Sequence, residues 1–257
     1  MRMQKINLYW DDIDVLPDKI RPDVEFLLNR MNEATLQIVD ARPGEKILDV
    51  GCGRAIDAVN MSKSGAKVIG LDPSQVMLRH ADESIRLDGH NTTLLRGIGE
   101  CIPLSPRSID KVVCKGAIDH FADPDKAIKQ MAEVVTPGGH VIIAVANFES
   151  LGFKIGKFIF GLRKLLRIKN PYSRLPWQLP PDHTVKFDYK QILTAAEKHL
   201  KIEKVIGVSV FASTPGWGDV LLNLPASVTK SILGWLDRIA HSLPVISDVV
   251  ILKGKSR

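Results

Sequence analysis

Between residues 46 and 146 the chain switches hydrophobic period repeatedly, and that alternation limits its fold more than any other feature. Short β-branched runs, KILDV (46–50), KVIGL (67–71), TTLLR (92–96), IDKVVC (109–114) and HVIIAV (140–145), are each bounded by turn-forming residues. Helical patterns separate most of them: Arg54 to Lys63, Ser74 to Ile85, and Pro124 to Val134, the last opened by proline and closed by Pro137, Gly138 and Gly139. Strands alternating with helices predict a parallel sheet covered on both faces. Such a sheet receives ligands beyond the carboxyl ends of its strands, near the point where strand order reverses.

The first strand runs into KILDVGCGRAIDAVNM (46–61), a turn with two glycines where a dinucleotide loop would have three. Gly51 and Gly53 allow positive φ and bring bare backbone to a ligand. Ala55 and Ile56 are left to start the next helix and pack it on the sheet. Asp49 stands two residues before Gly51, where an extra negative charge would not help a pyrophosphate loop but would suit an ammonium group. Asp72 ends the second strand, placed to accept hydrogen bonds from a ribose diol. Together they describe a ligand with a cationic amino-acid end and a nucleoside end, a description that S-adenosylmethionine (SAM) fits better than NAD or ATP.

Five segments in order, ILDVGCG, VIGLDPSQVML (68–78), GIGECIPL (97–104), IDKVVCKGAIDHFADPDKAI (109–128) and VVTPGGHVII (134–143), resemble the class I SAM-dependent methyltransferases. Within that family the likeness is to the small-molecule branch that includes the ubiquinone and menaquinone biosynthesis methyltransferases. It covers roughly residues 40 to 146. The resemblance implies a three-layer Rossmann-like α/β fold with a seven-stranded mixed sheet and helical lid insertions. It also implies SAM as cofactor and methyl transfer to a small and hydrophobic acceptor; no metal is expected, since the three cysteines are far apart and form no C-x-x-C pair. Gly51, Cys52 and Gly53 would line the methionine part with Asp49 behind it, and Asp72 would take both ribose hydroxyls. Pro73 and Met77 would flank the adenine, and Ile98 and Gly99 would meet its edge, Ile98 standing where the family usually has Asp. Cys114 and Lys115 would pass under the sulfonium.

Methyl transfer asks the protein to align a nucleophile, exclude water and remove a proton if the nucleophile carries one. Three residues are candidates for the proton: Asp119 and His120 in the turn after the fourth strand, and His183 in PPDHTVKF, where a loop beyond the core re-enters the site. Each also has a structural reading; His120, for example, could cap the next helix. No N/D-P-P-Y/F signature of amide or nucleobase N-methylation is present in the sequence.

Outside the core, residues 18–40 carry Val24, Leu27, Leu28, Met31, Leu36 and Val39 at spacings that suit one or two amphipathic helices. Beyond it come a Pro-rich bend (171–181), a helix from Tyr189 to His199, a strand KVIGVSVFA (204–212), a helical insertion at 213–243 and a last strand VISDVVILK (245–253). The chain thus divides into an N-terminal helical cap (1–45), a SAM-binding core (46–146), a basic helix with a Pro-rich lid (147–187), and the rest of the sheet with its insertion (188–257).

Charge is concentrated in one place. The net charge is +6, and between Ser150 and Pro181 there are seven Lys or Arg and no Asp or Glu, so the rest of the chain is balanced. That distribution, with few aromatics in the segment, argues against a nucleic-acid partner, leaving RNA methylation as an alternative and a non-catalytic SAM-binding regulator as another. Leu151, Ile155, Phe158, Ile159, Leu162, Leu165 and Leu166 share one helical stripe, with Lys154, Lys157, Arg163, Lys164 and Arg167 on the other side and Ser150 as N-cap. Residues 151–168 read either as a helix in peripheral contact with an anionic membrane or as a lid whose apolar stripe packs on the core. Gly152, Gly156 and Gly161 weaken it as an independent helix and favour the lid. Three separated cysteines, no secretory leader and no long apolar run are the pattern expected of a cytoplasmic protein with reduced thiols. The oligomeric state is not legible at this level.

Overall fold

The structure, a computed structural model, describes residues 7–12, 20–88, 92–168, 175–212 and 214–257. Seven strands form one sheet: β1 (Lys46–Val50), β2 (Lys67–Asp72), β3 (Thr92–Arg96), β4 (Ile109–Lys115), β5 (Val135–Ala146), β6 (Leu200–Val208) and β7 (Val249–Ser256). Their order is β3-β2-β1-β4-β5-β7-β6, parallel except for β7, which pairs antiparallel with both β5 and β6. The strand order reverses between β1 and β4, and the crevice that this opens holds the site.

Period-two alternation sorts the strand residues between two cores. Leu48, Val50, Val112, Cys114, Val141 and Ile143 face α4 (Pro124–Val134) and α6 (Tyr189–Glu197). Ile47, Val68, Val113, Ile142 and Ile251 face α1 (Pro22–Val39), α2 (Ile56–Ser62) and α3 (Gln75–Asp88). The expected three layers and mixed sheet are therefore present. α1 is one helix, where the pattern allowed one or two, and Arg30 on it donates to Asp237 at 2.7 Å on α8 (Ala226–Ser242).

Two strands at the far edge differ from expectation. β6 starts four residues earlier than KVIGVSVFA and ends at Val208, because Ser209 and Phe211 take left-handed φ of 58° and 74°. The Asp237 carboxylate accepts from the Ser209 backbone N–H and pins that break. β7 begins at Val249 rather than Val245, since Pro244–Ile246 form a 3₁₀ turn. The helical insertion comprises α7 (Trp217–Leu222) and α8, joined at Pro225.

The basic segment forms α5 (Leu151–Leu165), and Ser150 caps it by accepting from Phe153 N–H at 3.3 Å. The lid expectation holds only at the start of the apolar stripe: Leu151 packs against the cluster of Val210, Leu236 and Ala240, and Ile155 is half-buried, but the rest of the stripe does not pack on the core. Gly152 and Gly156 face inward instead, where a Cβ would meet Thr214 and the Trp177 ring, while Phe158, Leu162 and Leu165 face solvent. Close backbone approach chooses the face, and only glycine permits it. Of the basic residues in the segment, Lys169 and Arg174 lie outside the described residues.

Candidate active site

The loop after β1 is shaped by close contacts. Gly51 has φ of 74°, its N–H donates to Leu71 O at 2.7 Å, and a Cβ there would collide with Ala117. Gly53 has φ of 51° and donates to Asp72 Oδ2 at 3.0 Å, while Asp72 Oδ1 accepts from Ser74 N–H at 2.8 Å. One carboxylate thus ties the glycine loop to the turn after β2, and each oxygen keeps a lone pair for a ligand. Ala55 is fully buried in a left-handed conformation (φ 57°) as the helix begins. Ile56 does not pack on the sheet as expected; it is exposed at the rim of the cavity.

The cavity, about 450 Å³, lies at the carboxyl ends of β1, β2 and β4. Asp49, Gly51, Cys52, Gly53 and Asp72 line it, as do Pro73, Met77, Ile98, Gly99 and Lys115. Cys114 does not. Its neighbour Lys115 points to the crevice, so Cys114 points to the opposite face, fully buried in the core beneath α4. Lys115 is not a free cation under a ligand either: its ammonium lies 2.5 Å from Asp57 Oδ2 and donates to Asn32 Oδ1 on α1.

Burial sets the electrostatics. Asp49 is only 3% exposed, and its carboxyl is pushed up to about 8, first by burial, then by the charge of Asp57, with Lys115 partly offsetting both. Asp72 is also raised by burial, against its two backbone hydrogen bonds. The Cys52 thiol is held far above its usual range by burial beside Asp49 and Asp72, so it lines the loop as a neutral filler.

The three candidate proton-handling residues come together. Thr184 N–H and Oγ donate to Asp119 O at 2.8 and 2.9 Å, and Thr184 Oγ also lies 2.6 Å from Phe121 O, which clamps residues 182–185 onto the turn after β4. His183 Nδ1 then lies 3.1 Å from Asp119 Oδ2, and its ring is 4.3 Å from that of His120. Burial pushes the Asp119 carboxyl up, but the adjoining His183 and then His120 more than offset it, leaving the group below its ordinary value. His120 Nδ1 is 3.0 Å from Asp182 O, and a carbonyl only accepts, so Nδ1 is the donor there, an arrangement that in the neutral ring leaves the lone pair on Nε2. Of the three only His120 lines the cavity; Asp119 and His183 lie behind it. The donor atoms of the three fall within 4.8 Å of one another, a spacing that a metal ion could bridge, although the Asp119–His183 pair accounts for two of them without one.

Sequence reasoning missed the N-terminal wall. Asn7, Trp10 and Asp12 line the cavity. Asp12 is held by Arg54 through contacts of 2.8 and 2.6 Å, Ser74 Oγ donates to Trp10 O at 2.6 Å, and the Trp10 ring lies 5.8 Å from His120. Glu100 was missed as well: buried beside the cavity, it accepts from the Ala122 and Asp123 N–H groups and fixes the start of α4. The acidic pair Asp11-Asp12 was the one available signal, and its partner Arg54 is too distant in sequence for any periodicity to reveal.

Residues 47–139 match the methyltransferase-domain family, and the fold is that of the class I SAM-dependent methyltransferases. This part of the chain is thus a match to a methyltransferase domain, for which SAM is the cofactor. Among curated relatives, the ubiquinone biosynthesis O-methyltransferase of Vibrio cholerae is 35% identical over 130 residues, covering 49% of this chain and 51% of the relative. That of Aliivibrio fischeri is 37% identical over 133 residues, covering 49% and 53%. The chain therefore spans about half the length of the curated relatives it matches. Solved structures share the fold over most of the molecule. The YcgJ protein of Bacillus subtilis superposes with TM-score 0.58 at 18% identity, over 89% of this chain and 99% of its own. The [4+2]-cyclase SpnF gives 0.59 at 16%, over 88% and 79%, so the fold alone does not specify methyl transfer.

Proposed function

We propose that the chain transfers a methyl group from SAM to a hydroxyl of a small, apolar acceptor, with His120 as the base. The observation that carries this reading is that one cavity joins Asp49, the Gly51–Gly53 loop and Asp72 to His120. The donors fit the cofactor. Asp72 has a free lone pair on each oxygen for a ribose diol, and Asp49 is a buried carboxylate that an approaching ammonium would stabilise. Ile98, Gly99, Pro73 and Met77 supply an apolar slot for adenine.

When bound, SAM supplies an already activated methyl group. The chain's own residues have three tasks. The loop and Asp72 hold and orient the cofactor, and the N-terminal wall with Trp10 and the Pro181–Thr184 segment shields the cavity from water. His120 Nε2 receives the acceptor's proton, and the ionised Asp119 favours the charge that then forms on the imidazole pair. A base is needed when the acceptor carries a proton, which agrees with the O-methyltransferase names of the relatives. The same names favour a small molecule over RNA. The free thiols Cys52, Cys101 and Cys114 support a cytoplasmic setting.

Titration calorimetry with SAM and S-adenosylhomocysteine, followed by methyl transfer to a simple catechol, tests the proposal. His120→Ala is expected to lower kcat by ~10²–10³ with the SAM Kd unchanged within about twofold. Failure of both cofactor forms to bind, with NAD binding instead, would overturn it.

A further inference from the structure

α5 seats itself through its smallest residues and leaves its largest in water. Gly152 rests against Thr214 and Phe211, Gly156 against Trp177 and Pro215, and Phe160 meets the Trp177 ring at 6.0 Å. On the opposite side Phe158 is 73% exposed, Leu162 48% and Leu165 78%, and exposed Leu166 and Ile168 continue the row. An apolar row of this length on a surface marks a partner. Lys154, Lys164 and Arg167, all exposed, flank it, whereas Lys157 is already paired with Glu149.

The partner must be apolar at depth and negative at its surface. A second copy of the chain would set the five Lys and Arg of residues 151–168 against five more, with no Asp or Glu among those residues to compensate. A nucleic acid would answer the charge and leave the apolar row wet. We propose that residues 151–168 are an interfacial helix that docks on an anionic lipid surface, the apolar row at the acyl boundary and the basic residues among the headgroups.

This helix adjoins the candidate acceptor side. Phe153 packs on Phe148 at 5.9 Å, Phe148 on His183 at 6.0 Å, and His183 on His120 at 4.3 Å. Docking through α5 thus brings the cavity close to molecules dissolved in the bilayer. That link to the acceptor rests on the proposed transfer, while the docking does not.

Cosedimentation with phosphatidylcholine vesicles, with and without phosphatidylglycerol, tests it on the full chain. The protein is expected to bind the phosphatidylglycerol vesicles and to bind far less to phosphatidylcholine alone. Each basic residue near an anionic surface multiplies affinity by roughly fivefold, so the triple variant K154E/K164E/R167E should bind ~100-fold more weakly. The triple variant F158S/L162S/L165S should lose binding as well, with both variants keeping the wild-type melting temperature and SAM affinity, because the changed side chains are exposed. No binding to anionic vesicles, or binding that neither variant reduces, would overturn the proposal. So would a dimer that F158S/L162S/L165S dissolves in the absence of any vesicle binding, since that assigns the row to a second copy. Vesicle binding that persists while SAM binding or methyl transfer fails would count against the transfer reading alone.

Discussion

Asp49 and Asp72 look equivalent as letters, each an aspartate at a strand end, and both are buried, yet their partners separate them. Asp72 spends its charge on two backbone N–H groups, whereas Asp49 sits among other carboxylates and is pushed up to about 8. A cationic ligand end reaching Asp49 would ionise it, so SAM binding between about pH 6 and pH 8 is expected to release up to one proton. Calorimetry in buffers of different ionisation enthalpy measures that proton directly, and Asp49→Asn should abolish its release. The same shift acts on stability. The folded chain keeps on Asp49 a proton that the unfolded chain has lost, so this contribution declines as pH rises from about 4 to about 8. Asp119 runs the other way: its lowered value contributes stability above its unfolded pKa that is lost as pH falls through the folded one. The part of the lining that runs from Asp49 through the glycine loop to Asp72, Met77 and Gly99 was legible in the sequence because it sits in or beside short motifs. Cys114 was misplaced because a motif marks a stretch of strand, while the side of the sheet is settled by alternation against the neighbouring core.

At the scale of elements, α4 begins at Pro124 as its proline signal predicts and ends at Val134, but Pro137, Gly138 and Gly139 lie inside β5 rather than closing the helix, and β1 and β3 match their β-branched runs. α5 shows where such signals stop. Its glycines read as weak points in an isolated helix, but Gly152 and Gly156 are the docking face and Gly161 touches nothing within 4 Å. Two alanine substitutions separate these roles. Gly156→Ala forces a Cβ to 2.7 Å from the Trp177 ring and is expected to destabilise by ~1–3 kcal/mol in denaturant unfolding. Gly161→Ala adds helix propensity with no clash and should stabilise by about 0.5–1 kcal/mol. Equal effects at the two positions would mean that α5 is not seated through Gly156. The displaced strand β6 has a similar cause, because left-handed φ at Ser209 and Phe211, held by Asp237 from α8, ends a run whose composition would have continued.

Across the whole molecule, the cavity is closed by pieces far apart in the chain: the N-terminal wall at residues 7–12, the loops of the sheet, and the segment 181–184. A ligand that binds only this assembled form stabilises all of it together. At a concentration one hundred times its Kd, SAM is expected to add ~2.7 kcal/mol, which raises Tm by ~5–10 °C for a chain of this size. Trp10→Ala should leave the ligand-free Tm nearly unchanged while shrinking the increment, as calorimetric scans with and without SAM would show.

The sequence by itself determined the alternating core, the glycine loop flanked by two aspartates, and the cofactor class, because these depend on local periodicity and on residues close together in the chain. Only the tertiary structure decided that residues 7–12 wall the cavity, that His183 stands behind His120, and that α5 turns its apolar row outward. Those outcomes hang on contacts between distant segments, Arg54 with Asp12, Thr184 with Asp119 and Gly156 with Trp177. No spacing along the chain encodes such contacts, since packing and burial arise only when the layers close.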